Sequence, residues 1–247
     1  MSAGQLFQAG KLDQAVQALS AELRDNPADT QRRIFLFELL CFAGDYARAE
    51  KHLDILAQGN QDAQLGALLY QGALNADRSR SDLFQKREYP KPAADSEPVQ
   101  LAGTLNGKPF ESFVDADPRI GPRLEVFAAG QYLWLPLEHI ASIEMEPPKR
   151  LRDLLWSPAL VRTGPAFKGR ELGEVLLPVL TPLAFLHPDD AVRLGRMTVW
   201  QEIEDGEAAP AGQKTFLVDD EEFPILELRR VEFTSSQAAS EPHASAQ

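Results

Sequence analysis

A period of 34 residues near the amino end of this 247-residue chain constrains its fold more than any other feature. The hexapeptide GKLDQA at residues 10–15 recurs as GDYARA at residues 44–49. The same offset relates two pairs of leucines, Leu6 with Leu40 and Leu19 with Leu53. Such a period is typical of stacked helix–turn–helix units, since one unit cannot bury its apolar face alone. The repeat therefore predicts a helical array with a concave surface.

Apolar residues at helical spacing predict five helices within residues 1–76, the last of them ending at Ala76. The period of 34 is that of the tetratricopeptide repeat, so we interpret this region as tetratricopeptide-like. Gly10 and Gly44 mark the two turns, because glycine tolerates the positive φ that a sharp reversal requires. The sequence thus indicates two repeats and the start of a third.

The concave side of such an array is lined by the first helix of each pair. Counting from the glycine turns assigns this lining to a mostly apolar set, namely Phe7, Gln8, Ile34, Glu38, Cys41, Phe42, Leu65 and Leu68. An amphipathic partner helix would bury its apolar stripe in a groove of this kind. The alternative is that these side chains form core against a neighbouring domain, as terminal repeats often do.

The remainder of the chain differs from the helical region in its composition and in the pattern of its apolar residues. Residues 77–98 are charged and contain three prolines, which is typical of a linker. Residues 99–234 contain short apolar runs around hairpin signals such as Asn106-Gly107, and predict a β-rich α+β domain. Residues 235–247 are small and polar and are expected to be disordered. The expected fold class is α+β, with helical repeats followed by a β-rich domain.

The charge and cysteine content exclude several classes of function. A net charge of −12 disfavours nucleic acid as a partner, because phosphate binding requires a clustered basic face. The same acidity disfavours anionic membranes. Cys41 is the single cysteine, so no disulfide can form within the chain, which fits a reducing compartment. Without an evident signal peptide or long apolar run, we expect a cytoplasmic protein that does not enter a membrane.

One group of residues suggests chemistry. Asp115 and Asp117 are paired carboxylates, and with His139 they would supply an acid–base site in the β-rich domain. The alternative is a local turn, because aspartate side chains bond nearby backbone amides. None of the four histidines has a second ligand at zinc-binding spacing, so we expect no metal and no cofactor.

The LRDLLW segment at 151–156 is expected either to plug the sheet domain or to pin it to the repeats through Trp156. The alternative is that Trp156 forms an exposed interaction surface with Trp134 and Tyr132.

An ordered series of motifs resembles a known family. The series comprises NGKPF at 106–110, DADPRIGP at 115–122, GQYLWLP at 130–136, IEMEPP at 143–148 and LRDLLW at 151–156. It is similar to the ImpE/SciE/TagJ-type accessory proteins of bacterial type VI secretion systems. The resemblance implies a non-enzymatic, cytoplasmic role around the contractile sheath. It also implies the small sheath subunit as a partner and, indirectly, the ClpV-type ATPase that recycles contracted sheath.

Three hypotheses follow. The leading one is an adaptor that holds a helix of the small sheath subunit in the helical-repeat groove, with Phe7, Ile34, Glu38, Phe42, Leu65 and Leu68 as contact residues. The second is an enzyme that uses the carboxylate site in the β-rich domain. The third is a structural assembly factor whose second domain, rather than the repeats, contacts the partner.

Overall fold

The computed structural model describes residues 1–90, 101–164, 167, 172–203 and 206–234. Its amino-terminal part is a series of antiparallel helices: α1 (Ala3–Gln8), α2 (Leu12–Asp25), α3 (Thr30–Phe42), α4 (Tyr46–Leu56) and α5 (Gln61–Lys86). None of the described helices combines the length and apolar character needed to cross a membrane.

The two repeat turns have the same geometry. Gly10 and Gly44 have φ angles of +72° and +71°. In each turn the glycine N–H donates to the carbonyl three residues earlier, at 2.9 Å in the first turn and 3.1 Å in the second. The following residue donates to the carbonyl five residues earlier, at 2.9 Å in both. These bonds satisfy carbonyls at the helix end, and they confirm the repeat predicted from the sequence.

Helix α5 is longer than the sequence predicts. The expected end was Ala76, with residues 77–98 as a linker, but the helix continues to Lys86. Asp77, Arg80, Ser81 and Phe84 recur at helical spacing in this extension and are buried. Because three of these four are polar, a search for apolar periodicity misses them. Of the predicted linker, residues 91–98 lie outside the described residues, as does the predicted tail 235–247.

The second part of the chain is a β-rich domain with short helical turns. Its strands are β1 (Gly103–Leu105), β2 (Lys108–Phe110), β3 (Phe113–Asp115), β4 (Arg123–Ala128), β5 (Gln131–Pro136), β6 (Ile140–Met145), β7 (Trp156–Thr163), β8 (Gly173–Pro178), β9 (Val199–Glu202), β10 (Ala208–Ala211), β11 (Thr215–Val218), β12 (Glu221–Pro224) and β13 (Arg230–Phe233). Between them lie α6 (Asp190–Arg193) and the 3-10 helices Leu137–His139, Leu151–Leu154, Ala184–Leu186 and Ile225–Glu227.

The strands form one large sheet and two small ones. The large sheet has eight strands in the order β2-β1-β13-β6-β7-β8-β4-β5. Strand β3 pairs with β11 and β12, and β9 pairs with β10. The predicted turn at Asn106-Gly107 is present, with φ angles of +50° and +82° that suit a two-residue hairpin. The alternation of apolar and charged residues over 224–233 predicts one strand, but the structure has the end of β12 at Pro224, a 3-10 helix at Ile225–Glu227 and then β13.

The large sheet separates two apolar cores. One face packs on a core within the β-rich domain, formed by residues such as Ile143, Val161 and Val231. Part of the other face packs on the helices, where Phe127, Leu155 and Trp156 join the core of the helical region. The helical repeats and the sheet are therefore joined through a shared core, and α5 lies along that joint, in contact with β4 and β5.

Candidate functional site

Two residues predicted to line an open groove, Glu38 and Phe42, lie inside the molecule. Phe42 exposes 1% of its surface and Glu38 exposes 7%. The ring centroid of Trp156 lies 6.4 Å from that of Phe37 on α3 and 6.3 Å from that of Tyr70 on α5. The expectation of an open groove along α3 is therefore corrected, because side chains of the sheet domain occupy that face. Trp156 pins the two parts together, as expected.

The turn between α3 and α4 is covered in the same way. The ring of Phe185 packs edge-on against Tyr46, with centroids 5.9 Å apart. A Cβ atom built on Gly44 would lie 2.3 Å from the Phe185 ring, so this turn tolerates no side chain. Cys41 is buried beside it, and burial raises the pKa of its thiol well above the usual value. A thiol in this environment is not a nucleophile. The burial of Cys41 also corrects its assignment to the open groove.

The sheet domain also covers the first helix. Arg196 donates hydrogen bonds to the carbonyls of Phe7 at 2.8 Å and Gln8 at 3.0 Å. Its guanidinium carbon lies 4.8 Å from the centroid of the Phe7 ring. Phe7 is consequently half-buried rather than open, and Ile34 is half-buried as well. The concave side of the array is thus occupied by the protein's own residues at α1 as well as at α3.

The first half of α5 is different, because its apolar side chains are exposed. Leu65, Leu68 and Leu69 expose 61%, 71% and 54% of their surfaces. Together with Gly72 they recur at positions i, i+3, i+4 and i+7, which form one stripe along a helix. We call these four residues the leucine stripe. Of the predicted groove residues, Gln8, Leu65 and Leu68 are exposed, and the two leucines are the apolar ones among them.

Three members of the leucine stripe, Leu68, Leu69 and Gly72, lie in one wall of a cleft of about 810 Å³, and Leu65 lies outside it on the same helix. The opposite wall is the β4–β5 hairpin, and the floor is the outer face of β7 and β8. Lining residues from these parts include Phe127, Ala129, Gly130, Pro158, Glu174 and Leu176. The floor is mostly apolar, and the cleft is open along one side. We refer to it as the α5 cleft.

Two glycines bring α5 and the β4–β5 hairpin into direct contact where they line the α5 cleft. A Cβ atom built on Gly72 would lie 3.2 Å from the Cα atom of Gly130. Gly130 has a φ of +77° in the hairpin turn, a conformation that favours glycine. The hairpin therefore rests directly on the backbone of α5, and this contact sets the width of the cleft.

The second half of α5 carries a buried network of charges. Arg80 donates from Nε and Nη2 to the two oxygens of Glu125 on β4, both at 2.7 Å. Lys214 lies 2.8 Å from Glu125 Oε2 and also pairs with Asp115. Tyr132 donates its hydroxyl proton to the same Glu125 carboxylate. All of these charged side chains are at least nine-tenths buried.

The charges of this network are paired with one another, as in a structural cluster of ion pairs. Although burial acts to raise it, Arg80 and Lys214 hold the pKa of Glu125 well below its usual range. Burial raises the pKa of Asp115 to about 7, against the effect of Lys214. Every carboxylate here is matched with a cation or a hydrogen-bond donor, an arrangement typical of structural ion pairs. We interpret the network as the joint between α5 and the sheet domain.

Of the three residues of the alternative enzyme site, Asp115 and Asp117 contact each other, and the described contacts of His139 are with other residues. Asp117 pairs with Arg119 at 2.6 Å, and its backbone N–H donates to Asp115 at 3.0 Å. This is the local turn that the sequence offered as the alternative. The His139 ring instead lies 3.9 Å from Glu138 and packs near Phe167. Across the described residues, no group of three potential ligands is arranged to hold a metal ion.

Sequence reasoning missed Arg80, Glu125 and Lys214, the other members of the buried network around Asp115. Glu125 and Lys214 lie 45 and 134 residues after Arg80, so no local pattern connects them to it. One signal was available: Glu125 stands within the strand sequence RLEVFA, between Leu124 and Val126. A charge inside an apolar strand implies a buried partner, because unpaired buried charges are strongly disfavoured.

The fold and its cleft define a class of protein: tetratricopeptide-like helices locked onto a β-rich domain, with one exposed apolar stripe. A tetratricopeptide-repeat model matches residues 6–71, and the model described as ImpE protein matches residues 107–232. The type VI secretion system accessory component TagJ of Pseudomonas aeruginosa is 32% identical over 270 aligned residues, covering 96% of this chain and 93% of that protein. The chain belongs to the ImpE family.

A solved structure shares the fold. The crystal structure of protein VPA1032 from Vibrio parahaemolyticus matches with a TM-score of 0.82 and 24% identity. The match covers 94% of this chain and 97% of that one. At this identity the likeness establishes the architecture alone. The arrangement of helical repeats on a β-rich domain is therefore that of a known structure.

Proposed function

We propose that this protein is a non-enzymatic accessory component of a type VI secretion system that binds an amphipathic helix of the small sheath subunit in the α5 cleft. The family membership and the likeness to TagJ support the secretion role. Through this helix the protein would act in assembly of the sheath or in its recycling by a ClpV-type ATPase, which places it in the cytoplasm.

The observation that carries the proposal is the leucine stripe. Three leucines that each expose more than half of their surface lie in a row on one helix face. Such a face, rimmed by polar residues, is typical of a surface that binds another protein. An amphipathic helix with its own apolar residues at positions i, i+3 and i+7 fits it. Of the groove predicted from the sequence, we therefore propose only the part on α5 as the binding surface.

The free energy of binding requires contacts with the whole α5 cleft and not with the leucine stripe alone. Full burial of a leucine contributes about 1.5–3 kcal/mol, so these partly exposed leucines supply roughly 3–6 kcal/mol together. Association costs about 4–15 kcal/mol in lost freedom. The leucine stripe alone does not offset that cost, so the floor residues Pro158 and Leu176 must contribute as well. We expect a dissociation constant in the micromolar range, which corresponds to a binding free energy of about −8 kcal/mol.

The test is titration calorimetry of the purified protein with the small sheath subunit encoded in the same gene cluster. Leu68→Asp should weaken binding at least about tenfold, because it places a charge in an apolar contact. The matched control is Ile55→Asp on α4, an exposed apolar residue (46%) that does not line the cleft. Equal binding by the Leu68→Asp variant and the wild-type protein, both folded by circular dichroism, contradicts the proposal.

A further inference from the structure

The floor of the α5 cleft contains one ionisable side chain among apolar neighbours. In the pairing of β7 with β8, Glu174 lies opposite Leu160, and Leu176 lies opposite Pro158. Residues two apart on a strand share a face, so these four side chains form one patch on the outer face of the sheet. Glu174 is exposed, whereas Leu160 and Leu176 are half-buried. Among the described residues that line the α5 cleft, Glu174 is thus the one ionisable side chain. The next charge on this face is Glu144, which pairs with Leu160 from the other side and forms an ion pair with Arg162.

The nearby cations have other partners. A second cleft, of about 540 Å³, continues from the first across Pro158 and Glu174. Its Arg230 lies 2.7 Å from Glu232 and 3.5 Å from Glu144. Within the part of the chain that the structure describes, no cation lies within ion-pair distance of the Glu174 carboxylate. Its counter-charge is therefore absent from the described surface around it.

Docking changes the environment of this carboxylate. A helix that covers Leu160 and Leu176 removes water from Glu174 between them, and a desolvated carboxylate is disfavoured without a partner. A Lys or Arg on the incoming helix would supply that partner, whereas an apolar or acidic residue would leave the charge unpaired. Such a feature adds specificity by rejecting other helices.

We infer that Glu174 is a specificity-determining residue of the α5 cleft, which selects an amphipathic helix whose apolar stripe is interrupted by one Lys or Arg. This inference rests on the proposed function and specifies the chemistry of the partner. It distinguishes the true partner from the many leucine-rich amphipathic helices in a cell, which match the leucine stripe equally well.

The experiment measures binding of the small sheath subunit to Glu174→Gln and Glu174→Lys variants at two salt concentrations. We expect the neutral variant to bind about three- to tenfold more weakly and the reversed charge to bind more than about tenfold more weakly. The salt dependence seen with the wild-type protein should decrease in the neutral variant. Glu202→Lys on β9 is the control, because this exposed residue makes the same change in net charge and lines neither cleft.

A charge swap completes the test. Each Lys or Arg of the docked sheath helix is replaced by Glu, and one such variant should bind Glu174→Lys more tightly than it binds the wild-type protein. Unchanged affinity of the Glu174→Lys variant, with binding still lost in Leu68→Asp, overturns the inference and leaves the proposed function standing. Wild-type affinity in both variants, or no binding by the wild-type protein, overturns both.

Discussion

The two halves of α5 place their side chains in opposite ways. In its second half Asp77, Arg80 and Ser81 are buried against the sheet domain. In its first half Leu65 and Leu68 are open to solvent. A globular helix normally buries its apolar residues and exposes its charges, so α5 departs from the rule twice.

The two departures differ in whether other residues of the chain compensate for the unfavourable placement. The buried charges are satisfied within the chain, because Arg80 has a bidentate partner in Glu125 and Lys214 bridges to Asp115. The exposed leucines are not covered by any described part of the chain. The buried charges have their partners within the chain and join α5 to the sheet domain. The exposed leucines lack such a cover among the described residues, and they form the surface that we propose for binding.

The largest expected effect is at the joint. Arg80→Met leaves the buried Glu125 carboxylate without its bidentate partner, and should lower the free energy of unfolding by about 3–5 kcal/mol. Denaturant unfolding followed by circular dichroism measures this. The matched control lies two residues away, where Arg78 pairs with Glu50 at 3.0 Å with both side chains more than a third exposed.

Removal of the Arg78 charge should change the free energy of unfolding by about 0–1 kcal/mol, as is usual for exposed ion pairs. The double variant Arg80→Met, Glu125→Met should be more stable than Arg80→Met alone, because no carboxylate is then stranded. Similar stabilities of the Arg80 and Arg78 variants would break the distinction between the two halves of α5.

A buried acid without a bidentate partner sharpens the comparison. Burial raises the pKa of Glu38 from 4.5 to about 7, and the positive charge of Arg152 only partly opposes this. The folded state therefore binds the proton more tightly than the unfolded state does. The stabilising contribution of the protonated form is complete below pH 4.5 and is lost as the pH rises to about 7.

Glu38→Gln should remove this loss and stabilise the protein at pH 8 by on the order of 2–3 kcal/mol. The measurement is the free energy of unfolding at intervals between pH 4.5 and pH 8, for the variant and the wild-type protein. The difference between the two curves should grow with pH through this window. A constant difference would show that the Glu38 carboxyl does not titrate there.

Substitution at the contact between Gly72 and Gly130 should have a smaller effect on stability. Gly72→Leu forces a side chain against the backbone of Gly130, and should destabilise the protein by about 1–3 kcal/mol through overpacking. Gly66 on the same helix has nothing within 4 Å of a built Cβ atom. Gly66→Ala should instead stabilise by about 0.5–1 kcal/mol, the usual gain in a helix interior. Thermal unfolding of both variants separates the two cases, and stabilisation by both would contradict the close contact.

Much of the fold could be predicted from the sequence because it depends on local signals. The 34-residue period gave both glycine turns, and Asn106-Gly107 gave a hairpin, since each depends on backbone preferences of a few residues. The last ten residues of α5 were missed because their buried faces are polar. Strand β7 was missed because Pro158 lies within it, and proline is unusual inside a strand. These elements are stabilised by partners distant in sequence, which local patterns do not contain.

The candidate site was predicted in part for the same reason. The repeat register assigned Leu65, Leu68, Phe42 and Glu38 to one open surface. The two leucines are exposed, whereas Phe42 and Glu38 are buried. Which of these remains open depends on where the sheet domain rests, and Trp156 and Phe185 decide that through contacts more than 100 residues away in sequence. Exposure is a property of the assembled molecule, so periodicity alone does not give it.

The smallest expected effect on stability tests the other half of the comparison. Leu68→Ala should change the free energy of unfolding by less than about 0.5 kcal/mol, because an exposed leucine contributes little to the folded state. The same substitution at Leu74, which is 0% exposed on the same helix, should cost about 2–5 kcal/mol. The two variants are compared by denaturant unfolding and by binding of the small sheath subunit. A large loss of stability in Leu68→Ala would mean that this leucine supports the fold, and the division of α5 into a joint and a binding surface would then fail.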